Sequence, residues 1–228
     1  MKLSPQDGFS LVELLIAVAI SGVILTGIVF AYMTQQSIYN TQGAISVMQQ
    51  NLRGATLIMA DEIRKAGYNA SGQCNNPGFI TATANGMSFN YCADEDGLDN
   101  NSNAQIDEPG EVRQVTFDLY DAYGDGLLDI GMQVGTTAAT KRALADNIQT
   151  IEFFYTMQDG TTTLNPVTLA DIRSVQVSIL ARSDRDVDIG FSNTSIYTTA
   201  SGAIWGPYND NIRRRFIVVN IKCRNMGL

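Results

Sequence analysis

Glu13 is the one charge in an apolar run that extends from Phe9 to about Met33. A lone carboxylate at membrane depth costs roughly 2.5–3.5 kcal/mol on insertion scales, so it calls for a partner or a function. A second group of chemically capable residues is the run Asp94-Glu95-Asp96-Gly97-Leu98-Asp99-Asn100-Asn101-Ser102-Asn103-Ala104-Gln105-Ile106-Asp107-Glu108. Hard cations such as Ca²⁺ take about six to eight oxygen ligands, and alternating Asp and Asn in a turn-rich loop supply them. With Asp99 as first ligand, Asn101, Asn103 and the Gln105 carbonyl follow, Ile106 anchors the loop and Asp107 lies beyond. The third group is Cys74, Cys92 and Cys223. The chain has no histidine, which excludes Ser/His triads, the HExxH zinc site and most imidazole acid–base chemistry. No spacing singles out a pair of Asp or Glu for acid–base work, and no glycine-rich phosphate loop follows a strand-like run. The expectation is therefore a protein that is not an enzyme.

The elements that must carry these residues start with the apolar run itself. At about 25 residues it is long enough to cross a bilayer core of about 30 Å with some tilt. It does not fit a secretory signal, which wants a basic start, a shorter apolar core and a small-residue cleavage site after it. Here the only leader cation is Lys2, and Ala17-Val18-Ala19 lies inside the run. Beyond Met33 apolar residues recur at Ile38, Ile45, Met48, Leu52, Met59 and Ile63 with helical spacing, so an amphipathic helix is expected to continue. Arg64 and Lys65 suit its last turn and Gly67 its stop. An unbroken helix from Phe9 to Ala66 would reach about 85 Å, with Gly22, Gly27, Gly43 and Gly54 as places where it could kink or melt.

Downstream the texture is β-like at residues 79–83, 87–91, 112–119, 148–155, 172–181 and 215–222, where β-branched and aromatic residues dominate. The expected fold class is α+β: a long N-terminal helix packed on an antiparallel sheet that forms one head, 68–228. The 228 residues suffice for one membrane helix and one head of ordinary size. A net charge of −8 argues against nucleic-acid binding. Arg213-Arg214-Arg215 is a local basic cluster, read either as a solvated strand edge or as a subunit contact.

Gly8-Phe9-Ser10-Leu11-Val12-Glu13 followed by an apolar helix resembles the type IV prepilins, the family of pilus subunits and of the pseudopilins of type II secretion. The resemblance implies a leader peptide (1–8), a transmembrane helix (9–33), its amphipathic continuation (34–67) and a periplasmic or extracellular head. It also implies cleavage between Gly8 and Phe9 by the prepilin peptidase and N-methylation of Phe9. The new amine would carry positive charge at neutral pH, and Glu13 of one subunit could pair with the amine of its neighbour, offsetting the burial of both charges. Residues 172–183 and 213–225 are similar to the end of the PilW-like minor pilins, which are related to the J-type pseudopilins. The implied function is a minor pilin that is incorporated in, or primes, a type IV pilus, with a tip complex as one place for it. The implied partners are other minor and major pilins, the prepilin peptidase, the inner-membrane assembly platform and membrane lipid. The implied location is the bacterial inner membrane, single-pass with the N-terminus cytoplasmic, and then the pilus or cell surface. A type II secretion pseudopilin and a calcium-dependent surface binding module anchored by the helix are the alternatives.

In the part of the chain that this resemblance places outside the cytoplasm, disulfides persist. There Cys74 and Cys92 bracket a short Gly/Asn/Pro-containing stretch. Their pairing closes a loop of about 19 residues, worth roughly 3 kcal/mol on the chain-entropy model. Three unpaired buried thiols, or a bridge to Cys223, are the alternatives. The acidic loop 94–108 resembles calcium loops of the DGxDNNxNGxIDE type, with Ala104 at the usual turn glycine and Gly110 at the place of a bidentate Glu. No cofactor is required by the pilin reading, and Ca²⁺ in loop 94–108 is the one cofactor considered. Residues 121–129 echo that loop more weakly and read as a β-turn shaped by Gly124 and Gly126.

Overall fold

Met48, Leu52, Ala55, Met59, Ile63 and Ala66 fall three or four residues apart, and all are buried, so one helical stripe faces a core. They belong to the second part of helix α1, Leu11–Lys65, in a computed structural model that describes residues 8–93, 97, 99, 104–105, 109–184 and 191–227. Asn101, Asn103 and Asp107, expected as calcium ligands, lie outside the described residues. Helical structure passes through Gly22, Gly27, Gly43 and Gly54, so none of these glycines melts it. The chain divides into two units, Met1–Gly43 and Ala44–Leu228.

In the first unit the apolar side chains of α1 point outward all round, from Leu11 to Met33. Among the described residues this is the one helix long and apolar enough to cross a membrane, and none of its apolar window is buried. Ser21 and Thr26 donate their hydroxyls to the carbonyls of Ala17 and Gly22, at 2.7 and 2.8 Å. Hydrogen-bonding groups are thus satisfied within the helix, as a lipid environment demands.

The second unit is an antiparallel sheet with the buried stripe of α1 in its core. Its strands are β1 (Gly78–Ala82), β2 (Met87–Cys92), β3 (Val112–Tyr120), β4 (Leu128–Val134), β5 (Arg142–Met157), β6 (Thr162–Thr163), β7 (Ile172–Arg182) and β10 (Arg214–Lys222). The sheet order is β1-β2-β3-β4-β5-β7-β10, with β6 paired to β5. A separate hairpin pairs β8 (Tyr197–Thr198) with β9 (Ile204–Trp205). Alternate residues on one face fill the core: Ile151, Phe153 and Tyr155 of β5 lie opposite Ile179, Val177 and Val175 of β7. Met87 and Phe89 of β2 lie opposite Phe117 and Val115 of β3 in the same core.

The sequence reading omits β4 and starts β5 six residues late. Gly131, mid-strand in β4, makes that run look like turn. A Cβ there would meet Lys141 Cε at 2.6 Å and the Tyr120 ring at 2.8 Å. Glycine is needed because Lys141 crosses it to pair with Asp118 at 2.7 Å, over the Tyr120 ring.

The other face of the sheet is covered by the segment that carries β8 and β9. Ala200 N–H donates to Ser178 Oγ at 3.0 Å, and the Ser201 hydroxyl donates to Glu152 Oε2 at 2.9 Å. Tyr197 and Trp205 pack on Phe216 of β10, each with ring centroids 5.9 Å apart. Arg214 overturns the solvated-edge reading for its place in the basic cluster. Its side chain is only 2% exposed, forks onto Asp210 at 2.6 and 2.7 Å, donates to Gln149 Oε1 at 3.0 Å and lies over the Tyr208 ring. The Arg214 side-chain hydrogen bonds hold the Asp210 carboxyl below the usual carboxylate range.

Around the end of α1, the Tyr91 hydroxyl donates to Glu62 Oε2 at 2.9 Å and the Asn225 side-chain amide donates to the Arg64 carbonyl at 2.9 Å. Gly67 stops the helix at φ +80°. A Cβ on it would meet Met226 Sδ at 2.8 Å and the Asn225 carbonyl oxygen at 3.1 Å. Gly67→Ala is expected to lower the urea midpoint of the detergent-solubilised chain by about 1–2 kcal/mol of stability, the cost of a left-handed non-glycine residue. An unchanged midpoint would show that the C-terminal tail yields freely.

Cys223 is buried, and burial pushes its thiol up to about 12. Burial also raises the Tyr155 hydroxyl, which donates to the Thr83 carbonyl at 2.9 Å. For both, the unfolded chain loses its proton first. Their contribution is intact below about pH 8.5 and falls as pH rises, with a slope of up to about 1.4 kcal/mol per unit for each group. Denaturation curves at pH 8 and pH 10.5 are expected to show that loss, and Cys223→Ala should remove the thiol's part of it.

Candidate functional site

The start of α1 is built by four residues. Gly8, Phe9 and Ser10 are non-helical, and Leu11 opens the helix. Glu13 N–H donates to Ser10 Oγ at 3.2 Å, and Ser10 N–H donates to Glu13 Oε2 at 2.9 Å. This reciprocal pair is a capping box, which satisfies two of the amides that a helix start leaves open. The carboxylate also sits in the first turn, where the helix dipole favours negative charge. The sequence reading treats Glu13 only as a charge in need of a partner. The Ser-x-x-Glu spacing of residues 10–13 carries the missed signal. Within a single chain Glu13 is exposed and already bonded, and its carboxylate retains lone pairs for a second partner.

Gly8 and Phe9 lie beside this box. Phe9 is 92% exposed, so its side chain contributes nothing to packing within the chain. A Cβ on Gly8 would meet nothing within 4 Å among the described residues. Among the described residues, no contact demands glycine at position 8. Non-helical backbone ahead of a helix is the form in which a peptide bond is accessible to another protein.

The structure bridges Cys74 to Cys92, with Cα atoms 5.9 Å apart, and leaves Cys223 as a buried free thiol. Cys74 is positioned by Asn69, whose side chain accepts from Cys74 N–H at 3.3 Å. Cys92 N–H donates to the Tyr68 carbonyl at 2.8 Å. The bridge thus ties the exit of α1 to the end of β2.

Of the residues expected to hold calcium, Asp99 and Gln105 are described, and no group of three or more His, Cys, Asp or Glu side chains among the described residues is placed to hold a metal. Asp99 Oδ2 accepts from Ala104 N–H at 2.8 Å, and Ala104 takes φ +70°. That is the left-handed conformation for which the related loop type carries glycine. In the second acidic loop the carboxylates serve the backbone: Asp121 accepts from Gly126, Gly124 and Asp125 amides at 2.9, 2.7 and 3.2 Å. Those amides, Gly126 first, hold Asp121 below the usual carboxylate range. Asp129 accepts from Ala122 and Asn147 amides at 2.9 and 3.1 Å, and burial raises it. Residues 122–126 form a bend that leads into β4, with Gly124 and Gly126 at φ +71° and +81°.

Residues 3–29 match the family model of the prokaryotic N-terminal methylation motif. Among curated protein sequences none matches the chain. The solved structure of the type IV-like pilin TTHA1219 from Thermus thermophilus is similar in fold. Its TM-score is 0.50 at 15% sequence identity, over 79% of this chain and 98% of that one. The long N-terminal helix packed on an antiparallel sheet is therefore a type IV pilin-like fold, and the chain begins with a methylation motif of prokaryotic type.

Proposed function

We propose that this chain is a pilin-type filament subunit, processed between Gly8 and Phe9 by prepilin peptidase, methylated at Phe9 and assembled through Glu13. The observation that carries this reading is the methylation motif across residues 3–29, set on a helix whose apolar side chains are bare on every side. Such a helix needs lipid before assembly and neighbouring helices after it. The indifference of the fold to a side chain at Gly8 supports an outside reader, since a protease subsite can require glycine where the chain does not. Freed of the leader, the Phe9 amine would be a charge one residue before Ser10, and a neighbour's Glu13, whose carboxylate keeps lone pairs beyond its bond to Ser10 N–H, could pair with it. The partners are other pilins, with the peptidase and the inner-membrane assembly platform acting before incorporation.

The finer reading is a minor, PilW-like subunit that primes or caps a type IV pilus. It is supported by residues 172–183 and 213–225, which carry the likeness to those pilins and fall mainly on the paired strands β7 and β10. The test is mass spectrometry of the mature N-terminus from membrane and sheared-filament fractions. N-methylated Phe9 in both fractions is expected; an intact Met1, or a cut elsewhere, would overturn the reading.

Calcium in loop 94–108 is a second proposal, favoured by the Asp99 to Ala104 bond and the left-handed Ala104. Calorimetric titration of the full chain with CaCl₂ is expected to show one site that weakens in Asp99→Ala and tightens in Ala104→Gly. Absence of binding at millimolar calcium would end it.

A further inference from the structure

We infer that the free edge of β10 is a docking site for an extended, acidic segment of a different filament subunit. The inference rests on the filament-subunit reading and adds a partner surface to it. β10 ends the sheet order, and among the described residues no strand pairs with its outer side. Ser183 N–H donates to the Arg213 carbonyl and Cys223 N–H to the Arg173 carbonyl, both at 2.9 Å. The register from Arg214 to Lys222 runs without a shift. Odd-numbered residues of β10 therefore bond to β7, and by antiparallel alternation the amides and carbonyls of Phe216, Val218, Asn220 and Lys222 point away from the sheet. Among the described residues, the outer edge of this nine-residue regular strand is thus unpaired, which is the template for strand addition.

The opposite end of the sheet is a poorer template. β1 has five residues, its pairing with β2 shifts between Phe79 and Thr81, and the turn Leu169–Asp171 packs beside it. Bulges and coverage are ways of closing an edge. Among the described residues, β10 shows neither.

Charge selects the occupant. After Asp210 the chain has Arg213, Arg214, Arg215, Lys222 and Arg224 and no Asp or Glu, in a protein whose net charge is −8. Arg214 is committed to Asp210, whereas Arg215, Lys222 and Arg224 are exposed along and just past the edge. Antiparallel pairing of β10 with β10 of a second copy would bring together two runs of exposed cations, Arg215, Lys222 and Arg224 from each, with no Asp or Glu among them, and such like-charge crowding is unfavourable. The edge is therefore closed to its own kind and open to a strand that brings carboxylates.

The test uses the full chain in detergent and three synthetic extended peptides as probes: one alternating Glu with Val and Thr, its Lys counterpart, and the Glu peptide interrupted by proline. Fluorescence anisotropy is expected to show the Glu peptide binding about tenfold or more tighter than either other peptide, from several cross-strand charge pairs. Asn220→Pro removes one outward amide without touching the bonds to β7 and should abolish binding. Should that variant misfold by circular dichroism, the exposed pair Lys222→Glu and Arg224→Glu should instead reverse the charge preference. Equal affinity for the three peptides, no binding of any, or binding by a folded Asn220→Pro protein that matches the parent would each overturn the inference. Peptide binding by a chain whose N-terminus proves unprocessed would leave the docking edge standing and remove the filament reading alone.

Discussion

Glu13→Ala is expected to leave the chain in the membrane, cut and methylated at Phe9, yet to remove it from sheared filaments. The capping role and the proposed intersubunit role of this one carboxylate separate by substitution. Within the chain Glu13 closes a capping box with Ser10, a local role that glutamine can also fill. Between subunits it would neutralise a neighbour's Phe9 amine, which glutamine cannot do. Leaving that amine buried without a partner costs about 3–5 kcal/mol, a drop of some hundredfold or more in incorporation. Glu13→Gln should therefore fail in assembly as Glu13→Ala does, while Ser10→Ala, which loses the cap at a cost of about 1 kcal/mol, should assemble. Immunoblots of membrane and filament fractions read all three. If Glu13→Gln assembles normally and Ser10→Ala does not, the carboxylate works by starting the helix and the pairing is wrong.

The long helix was legible because its signals are local: unbroken apolar character to Met33, then apolar residues three or four apart to Ile63, then a glycine stop at Gly67. Strands rich in β-branched and aromatic residues, such as β7 and β10, were legible for the same reason. β4 was not, since Gly131 is set by Lys141 and Tyr120, which come from elsewhere in the sequence. Nor was the burial of Arg214, since its partner Gln149 lies on a different strand and the Tyr208 ring under it follows from the fold of the preceding segment, although Asp210 is only four residues away. The box at Ser10 and Glu13 is local and was legible in spacing. The apolar surroundings, however, point toward a partner in another chain, and one carboxylate has lone pairs enough for both bonds. The edge of β10 follows from sheet order, which no window of sequence contains.

Removing the Cys74–Cys92 bridge is expected to cost the second unit about 3 kcal/mol, the entropy of leaving a loop of that length open in the unfolded chain. The bridged residues hold more than their own loop. Between them lie β1 and most of β2, and Cys92 N–H bonds Tyr68, directly after the helix stop at Gly67. The bridge therefore keeps the β1–β2 hairpin at the end of α1, where Tyr91 meets Glu62 and Asn225 meets Arg64. A double variant, Cys74→Ser with Cys92→Ser, avoids an odd thiol that could exchange with Cys223. Its Tm should fall by about 6–12 °C, the shift expected for that loss in a unit of this size. Reduction of the parent protein should reproduce the fall, while the double variant should be indifferent to reductant. Assembly should suffer less than stability, because the bridge lies outside the membrane-length helix that carries Glu13. An unchanged Tm in the double variant would mean that hydrogen bonds and packing at the helix exit already hold the hairpin without the covalent link.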